Sequence, residues 1–345
     1  MKVFVGLSGG VDSAVSAALL QAAGHDVVGV FMKNWSGVTA GVECPWADDW
    51  ASARQVAAHL GIPLKLYDFE DRYRATVGQY LIDTYRAGLT PNPDIMCNDE
   101  IKFKAFLDQC LDEGADMIAT GHYARIRDGN QLLRGADPAK DQSYFLYRVP
   151  DEALARSLFP LGELTKTEVR RQARKLKLPN AARPDSQGIC FVGPVPMKDF
   201  LHEFIDYAEG EIQDERGRVV GRHDGVFFYT IGQRHGLGVG GGAPYFVYDK
   251  DVAGNILRVT TDEQSPVLNK STFTIDNCVW HEQPAADREY DIQVRYRSRP
   301  IAGHLKPAGN SRHEITLAKP ERAIAPGQSA VAYDAERVIG GGIIT

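Results

Sequence analysis

The chain has 345 residues, 43% of them hydrophobic, with a formal net charge of −6 at neutral pH. That length holds two or three domains with buried cores, and the negative balance argues against indiscriminate nucleic-acid binding while leaving room for a local basic face. No apolar stretch reaches the roughly 18 residues needed to span a membrane, and Met1-Lys2 runs into an apolar segment without a signal peptide, so a cytoplasmic protein that engages no membrane is expected.

The first elements are the most informative. Val3-Phe4-Val5-Gly6-Leu7 reads as a buried strand, Ser8-Gly9-Gly10-Val11-Asp12-Ser13 as a glycine turn, and Ala14 to Ala23 as a helix that Gly24 stops. Gly9 and Gly10 let the backbone turn sharply and come close to a ligand. Asp12 and Ser13 sit where the helix begins, and there the open N–H groups and the dipole favour an anion. This is a phosphate cradle, but not the common P-loop, because no Gly-Lys-Ser/Thr follows. Further strands are predicted over 26–33, 63–67 and 116–120, and helices over 46–60, 69–86 and 99–111. Strands alternating with helices imply a parallel sheet with helices on both faces. Ligands then sit at the C-terminal strand ends, here Ser8–Ser13, Met32–Trp35 and Thr120–Tyr123.

Between two predicted helices lies Thr90-Pro91-Asn92-Pro93-Asp94-Ile95-Met96-Cys97-Asn98. Its prolines read as a stiff loop. Cys97 falls just before the helix expected from Asp99, where a dipole would favour its thiolate, and Asp94 could act as a base. The same string also suits turn and cap residues around a small buried cysteine. Five cysteines, Cys44, Cys97, Cys110, Cys190 and Cys278, are odd in number and widely spaced, which speaks against a disulfide scaffold. No Cys-x-x-Cys or zinc-spaced cluster occurs, so no metal site is expected from cysteine and histidine.

Gly129-Asn130 marks a hairpin between 123–127 and 131–134. The polar Lys140-Asp141-Gln142 leads into an aromatic segment, and 164–176 is a basic amphipathic helix whose Arg170, Arg171, Arg174 and Lys175 suit either solvent or phosphate. Pro184-Asp185-Ser186-Gln187-Gly188-Ile189-Cys190-Phe191 reads as a loop or strand end, and 197–207 as a short helix. The texture then becomes glycine-rich and β-like, with Phe227–Thr230 read as a strand. From Phe273 the chain is all short strands: 273–280, 290–297, 313–317, 329–333 and 338–344, which suggests a small barrel. Within Arg295-Tyr296-Arg297-Ser298-Arg299 the three arginines would share one strand face, suited to phosphates. Residues 265–345 carry ten Lys/Arg against nine Asp/Glu, so this is the less acidic end.

Ser8-Gly9-Gly10-Val11-Asp12-Ser13 resembles the pyrophosphate loop of the ATP pyrophosphatases. Taken with Asn92-Pro93-Asp94, Cys97, Gly121-His122-Tyr123, Lys140-Asp141-Gln142, Ser186-Gln187-Gly188-Ile189-Cys190-Phe191, Gly232-Gln233-Arg234 and Arg295-Tyr296-Arg297, the chain resembles the tRNA-specific 2-thiouridylases over nearly its whole length. His235 stands where lysine is more usual. The resemblance implies a Rossmann-like, parallel-sheet PP-loop domain over 1–200, a small β-rich domain over 201–264 and a C-terminal β-barrel over 265–345. It implies ATP-dependent 2-thiolation of the wobble uridine of tRNA. Gly6, Leu7, Ser8, Gly9, Gly10, Val11, Asp12, Ser13, Met32 and Gly121 would bind ATP, with Mg²⁺. Asn92, Pro93 and Asp94 would meet the target base. Cys190 would carry a persulfide, and Cys97 would release its sulfur through a transient disulfide with Cys190. His122, Lys140, Asp141, Gln142, Arg295, Tyr296 and Gln328 would touch tRNA. A sulfur-donor protein, either a cysteine desulfurase or a relay protein, would charge the enzyme. The loop alone also fits an ATP-dependent amide or C–N ligase acting on a small metabolite.

Overall fold

The computed structural model describes residues 1–36, 38–39, 42–43, 46–128, 130–184, 197–240, 242–309 and 311–345. The chain divides into two compact units. One holds Met1–Gly78, Pro93–Val195 and Glu336–Val338, the other Gln79–Asn92, Pro196–Ala335 and Ile339–Thr345.

The first unit is built on a parallel sheet. Its strands are β1 (Lys2–Gly6), β2 (Asp26–Lys33), β3 (Leu64–Asp68), β4 (Met117–Ala119) and β5 (Ser157–Leu158), in the order β3-β2-β1-β4-β5. Val3 to Gly6 and Val27 to Met32 are buried without a break. Successive side chains point to opposite faces, so both faces of the sheet are covered. On one face Val3, Val5, Leu7 and Phe31 join a core with Ala14, Val15 and Ala17 of helix α1 (Val11–Ala22), Ala53 and Val56 of α2 (Trp46–Leu60), and Val169 and Ala173 of α3 (Lys166–Lys175). On the other, a Cβ at Gly6 would stand 3.9 Å from Phe106. The chain runs from β1 outward to β3, then crosses to β4 on the far side of β1. That reversal opens a crevice beyond the carboxyl ends of β1 and β4. Ala124–Arg127 and Gln131–Arg134 form the expected antiparallel hairpin; Gly129 lies outside the described residues.

The second unit contains two β structures. Gly210–Gln213, Val219–His223, Phe246–Asp251 and Ile256–Thr260 make a four-stranded sheet around Ile212, Val226, Val247 and Leu257. Phe227–Thr230, read from sequence as strand, instead opens with a 3₁₀ turn over Val226–Phe228, where Gly225 takes φ 146. Six strands then close into a barrel: Asn269–Trp280, Glu289–Gln293, Ile301–Pro307, His313–Arg322, Ser329–Asp334 and Arg337–Ile344. The first pairs antiparallel both with the fourth, Phe273 opposite Ile315, and with the last, Ile275 opposite Ile344. Closure removes the exposed edges. Ile301–Pro307 escaped the sequence reading because Gly303 and Pro307 interrupt its alternation.

Candidate active site

The glycine loop expected to cradle phosphate sits at the crevice. β1 ends at Gly6 and α1 begins at Val11, with Gly10 as its N-cap and no side chain capping it, so the first amides of α1 are open to a ligand. Gly9 has φ 77, and a Cβ there would lie 2.4 Å from the Asp49 carbonyl. Only glycine fits that turn. The two serines line its inside. The Ser13 hydroxyl accepts from Ser8 N at 3.2 Å and donates to the Gly10 carbonyl at 3.1 Å, and the Ser8 hydroxyl accepts from Gly10 N at 3.4 Å. These are long bonds, easily exchanged for phosphate oxygens. Gly121 follows β4, and a Cβ on it would stand 3.0 Å from Ser13 N and 3.2 Å from the Asp12 Cβ. Its lack of a side chain is what lets the two strand ends approach. Met32 is buried at the end of β2, its Cε 3.1 Å from where a Gly6 Cβ would be.

The cation of this site was missed in the sequence. Lys166 Nζ holds both carboxylate oxygens of Asp12, at 2.7 and 2.8 Å, and Tyr123 Oη donates to the same carboxylate at 2.9 Å. Arg170, Arg171, Arg174 and Lys175 drew attention by number. Arg170, however, bonds the Ala181 carbonyl at 3.3 Å and the Arg183 carbonyl, while Arg171 pairs with Glu168 at 3.8 Å. The available signal was Thr165-x-x-Glu168. It forms a capping box, which fixes Lys166 as the first residue of α3.

Cys97 is not at a helix N-terminus. Helix starts at Pro93, running through Pro93–Cys97 into a π-helical stretch, Asn98–Ala105, and on to Asp112. Proline suits the first helical position, where its missing N–H has no partner to lose. Pro93 therefore starts this helix, and no helix N-terminus favours a Cys97 thiolate. Asp94 and Cys97 stand one turn apart, on one side of the helix. Cys97 is wholly buried, at 0% exposure; Cys190 lies outside the described residues. In the second unit, Gln328 Nε2 donates to the carbonyls of Thr90 and Pro91, each at 3.1 Å, Thr90 N bonds the Pro326 carbonyl at 2.8 Å, and Asn92 N reaches Tyr80 Oη at 3.4 Å. Gln328, expected at tRNA, thus holds the stretch that leads into Asn92-Pro93-Asp94, the residues expected at the target base.

Comparison with known proteins fixes the family. The tRNA methyl transferase HUP domain family matches residues 1–194, its PRC-barrel domain residues 198–261, and an aminomethyltransferase beta-barrel domain residues 270–344. A tRNA-specific 2-thiouridylase MnmA of Verminephrobacter eiseniae is 47% identical, covering 99% of this chain and 98% of its own. That of Paracidovorax citrulli is 46% identical, over 100% of this chain and 96% of its own. The chain belongs to the tRNA-specific 2-thiouridylase family. Among solved structures, a 4-thiouridine synthetase–RNA complex with bound ATP aligns over 56% of this chain and 46% of that one, at 18% identity and a TM-score of 0.35.

The 2-thiouridylase residues expected at tRNA fall into two kinds. His122 is buried, its Nδ1 2.7 Å from Thr120 Oγ1 and its ring packed against Phe103 and Phe159. Burial, with the Lys102 charge adding to it, holds the imidazole well below its ordinary value. Asp141 binds Gly135 N at 2.9 Å and Ser143 N at 3.0 Å, and Gln142 accepts from Tyr123 N at 3.0 Å, so both brace the turn that carries Lys140. Arg295–Arg299 is not the strand the alternation suggested. The strand ends at Gln293, and Ser298 N bonds the Arg295 carbonyl at 3.1 Å across a turn. Arg297 has φ 62. Arg295, Arg297 and Arg299 are all exposed, and Arg295 reaches Glu321 at 3.4 Å.

Proposed function

We infer that this chain performs ATP-dependent 2-thiolation of the wobble uridine of tRNA, with Ser8–Ser13 gripping the departing pyrophosphate. The observation that carries this is the open cradle with Lys166 on its rim, in a chain that matches 2-thiouridylases end to end. ATP is the co-substrate. A trianionic phosphate group would draw Lys166 away from Asp12, since charge-assisted bonds to phosphate are the stronger ones. Among the described residues no cluster of three acidic, histidine or cysteine side chains exists. The Asp12 carboxylate fits as a lone protein ligand for Mg²⁺, which commonly binds through one carboxylate and phosphate oxygens. When bound it would neutralise charge on the pyrophosphate.

The uridine O2 attacks the α-phosphorus and pyrophosphate leaves, making O2 part of a good leaving group. The terminal sulfur of a Cys190 persulfide attacks C2, and AMP departs with the original oxygen. The Cys97 thiolate then attacks the inner sulfur of Cys190. The S–S bond to the base breaks, sulfur stays on C2, and a Cys97–Cys190 disulfide forms. An external thiol reductant resets the pair, and a sulfur-donor protein, a desulfurase or relay, recharges Cys190. Asp94, one turn from Cys97, would take the thiol proton. Asn92, Pro93 and Asp94 would receive the base, and the exposed arginines near 295–299 would meet tRNA phosphates. This reading assigns catalysis to residues 1–200, a linking role to 201–264 and tRNA contact to 265–345, in the cytoplasm.

Cys190→Ser tests it. The variant should release pyrophosphate with tRNA and ATP but leave no 2-thiouridine on nucleoside mass analysis. Normal thiolation by this variant would overturn the sulfur route. Pyrophosphate release triggered by a metabolite without tRNA would favour an amide or C–N ligase instead.

A further inference from the structure

The Gly9 carbonyl accepts three side-chain donors. Ser52 Oγ reaches it at 2.8 Å, Asn180 Nδ2 at 2.9 Å and Arg183 Nη1 at 3.2 Å. One carbonyl has two lone pairs, so this acceptor is saturated, and one of its bonds comes from a cation. The donors come from α2 and from the turn after α3, far apart in sequence. Arg170 fastens that turn through the Ala181 and Arg183 carbonyls, and Arg183 also grips Asp49.

The consequence follows from the peptide plane. In a trans peptide the C=O of one residue and the N–H of the next point in opposite directions. No cis peptide occurs among the described residues. The peptide after Gly9 has a glycine on each side, so side-chain sterics do little to prevent it from flipping, and these three donors hold its oxygen. With its oxygen held outward, Gly10 N–H must face inward, and it does: its acceptor is the Ser8 hydroxyl inside the cradle. Asn180 is 6% exposed, and its Oδ1 is buried with no hydrogen-bond partner among the described residues.

We propose that Ser52, Asn180 and Arg183 are positioning residues for pyrophosphate departure, locking the Gly9–Gly10 peptide so that Gly10 N–H is aimed at the leaving phosphates before ATP arrives. The proposal rests on the reading of Ser8–Ser13 as the ATP loop. Preorganised backbone donors of this kind stabilise developing charge without rearranging during the reaction.

The test separates the leaving-group side from the rest of the nucleotide. In the full-length enzyme, Ser52→Ala should weaken inorganic pyrophosphate binding and lower kcat for pyrophosphate release about tenfold. AMP affinity, KM for tRNA and the thermal midpoint should stay at wild-type values, and Ser52→Thr should restore kcat. Asn180→Asp, which places a carboxylate oxygen against the Gly9 carbonyl, should cost about 100-fold with AMP binding retained. Wild-type pyrophosphate affinity and kcat in both variants would overturn the proposal, as would equal losses of AMP and pyrophosphate binding. Failure of the underlying reading has a different signature: wild-type enzyme that binds no ATP by calorimetry, or Asp12→Ala that releases pyrophosphate at the normal rate.

Discussion

Two residues in the left-handed backbone region, Gly9 at φ 77 and Arg297 at φ 62, sit in opposite kinds of surroundings. Around Gly9 the space is full: the Asp49 carbonyl excludes a Cβ and three donors claim its oxygen. Arg297 stands exposed on a turn, its guanidinium 5.1 Å from the Tyr296 ring. Transferring a phosphoryl group needs donors fixed to within fractions of an ångström. Meeting a polyanion needs charge on long side chains that can follow it. On the proposed reading, similar backbone torsions would serve a rigid task in one place and an adaptable one in the other.

The contrast predicts unequal costs. Gly9→Ala forces a Cβ into the Asp49 backbone and should lower pyrophosphate release more than about 100-fold, read as initial rate at saturating tRNA; a loss under threefold would break the comparison. Arg297→Gly keeps a residue at ease with positive φ and removes only the charge. It should weaken tRNA binding severalfold and reduce the salt slope by about 1, with ATP-site behaviour unchanged; an unaltered slope would remove Arg297 from the interface. The smallest effect concerns the packed side alone. His122 is held neutral by burial, its value lowered from the ordinary 6.5. The unfolded chain binds a proton below that pH and the folded one does not, so stability should be full above it. Below it, stability should fall by at most about 1.4 kcal/mol per pH unit as acidity rises. The stability difference between wild type and His122→Gln should be constant near neutral pH and shift in favour of the variant as pH falls below that value; a difference independent of pH would remove the effect.

Legibility in the sequence divided along the same line. Ser8–Ser13 could be read because glycine and helix-start requirements are local and leave a residue-type signature. The parallel sheet could be read because buried strands are continuous apolar runs. Lys166 could not, because its significance comes from reaching Asp12 154 positions away, and nothing local separates it from the neighbouring arginines. Cys97 was misjudged since Pro93 can end a loop or begin a helix, and tertiary packing chose the second. The arginines at 295, 297 and 299 alternate as a strand would, but a positive φ at Arg297 turns the chain before a strand can use them. Cys190 lies outside the described residues.

Gln328 fastens Thr90 and Pro91 from 238 and 237 positions further along the chain, and Gly327 closes against Thr90 so tightly that a Cβ would fall 2.7 Å from its nitrogen. During synthesis the ribosome makes the early partner long before the late one exists. Thr90 and Pro91 must therefore wait, unsupported, until almost the entire polypeptide has emerged. A nascent or truncated product that stops short of Gly327 would lack this support, and on the proposed reading it would be poorly equipped to receive the target base beside Pro91.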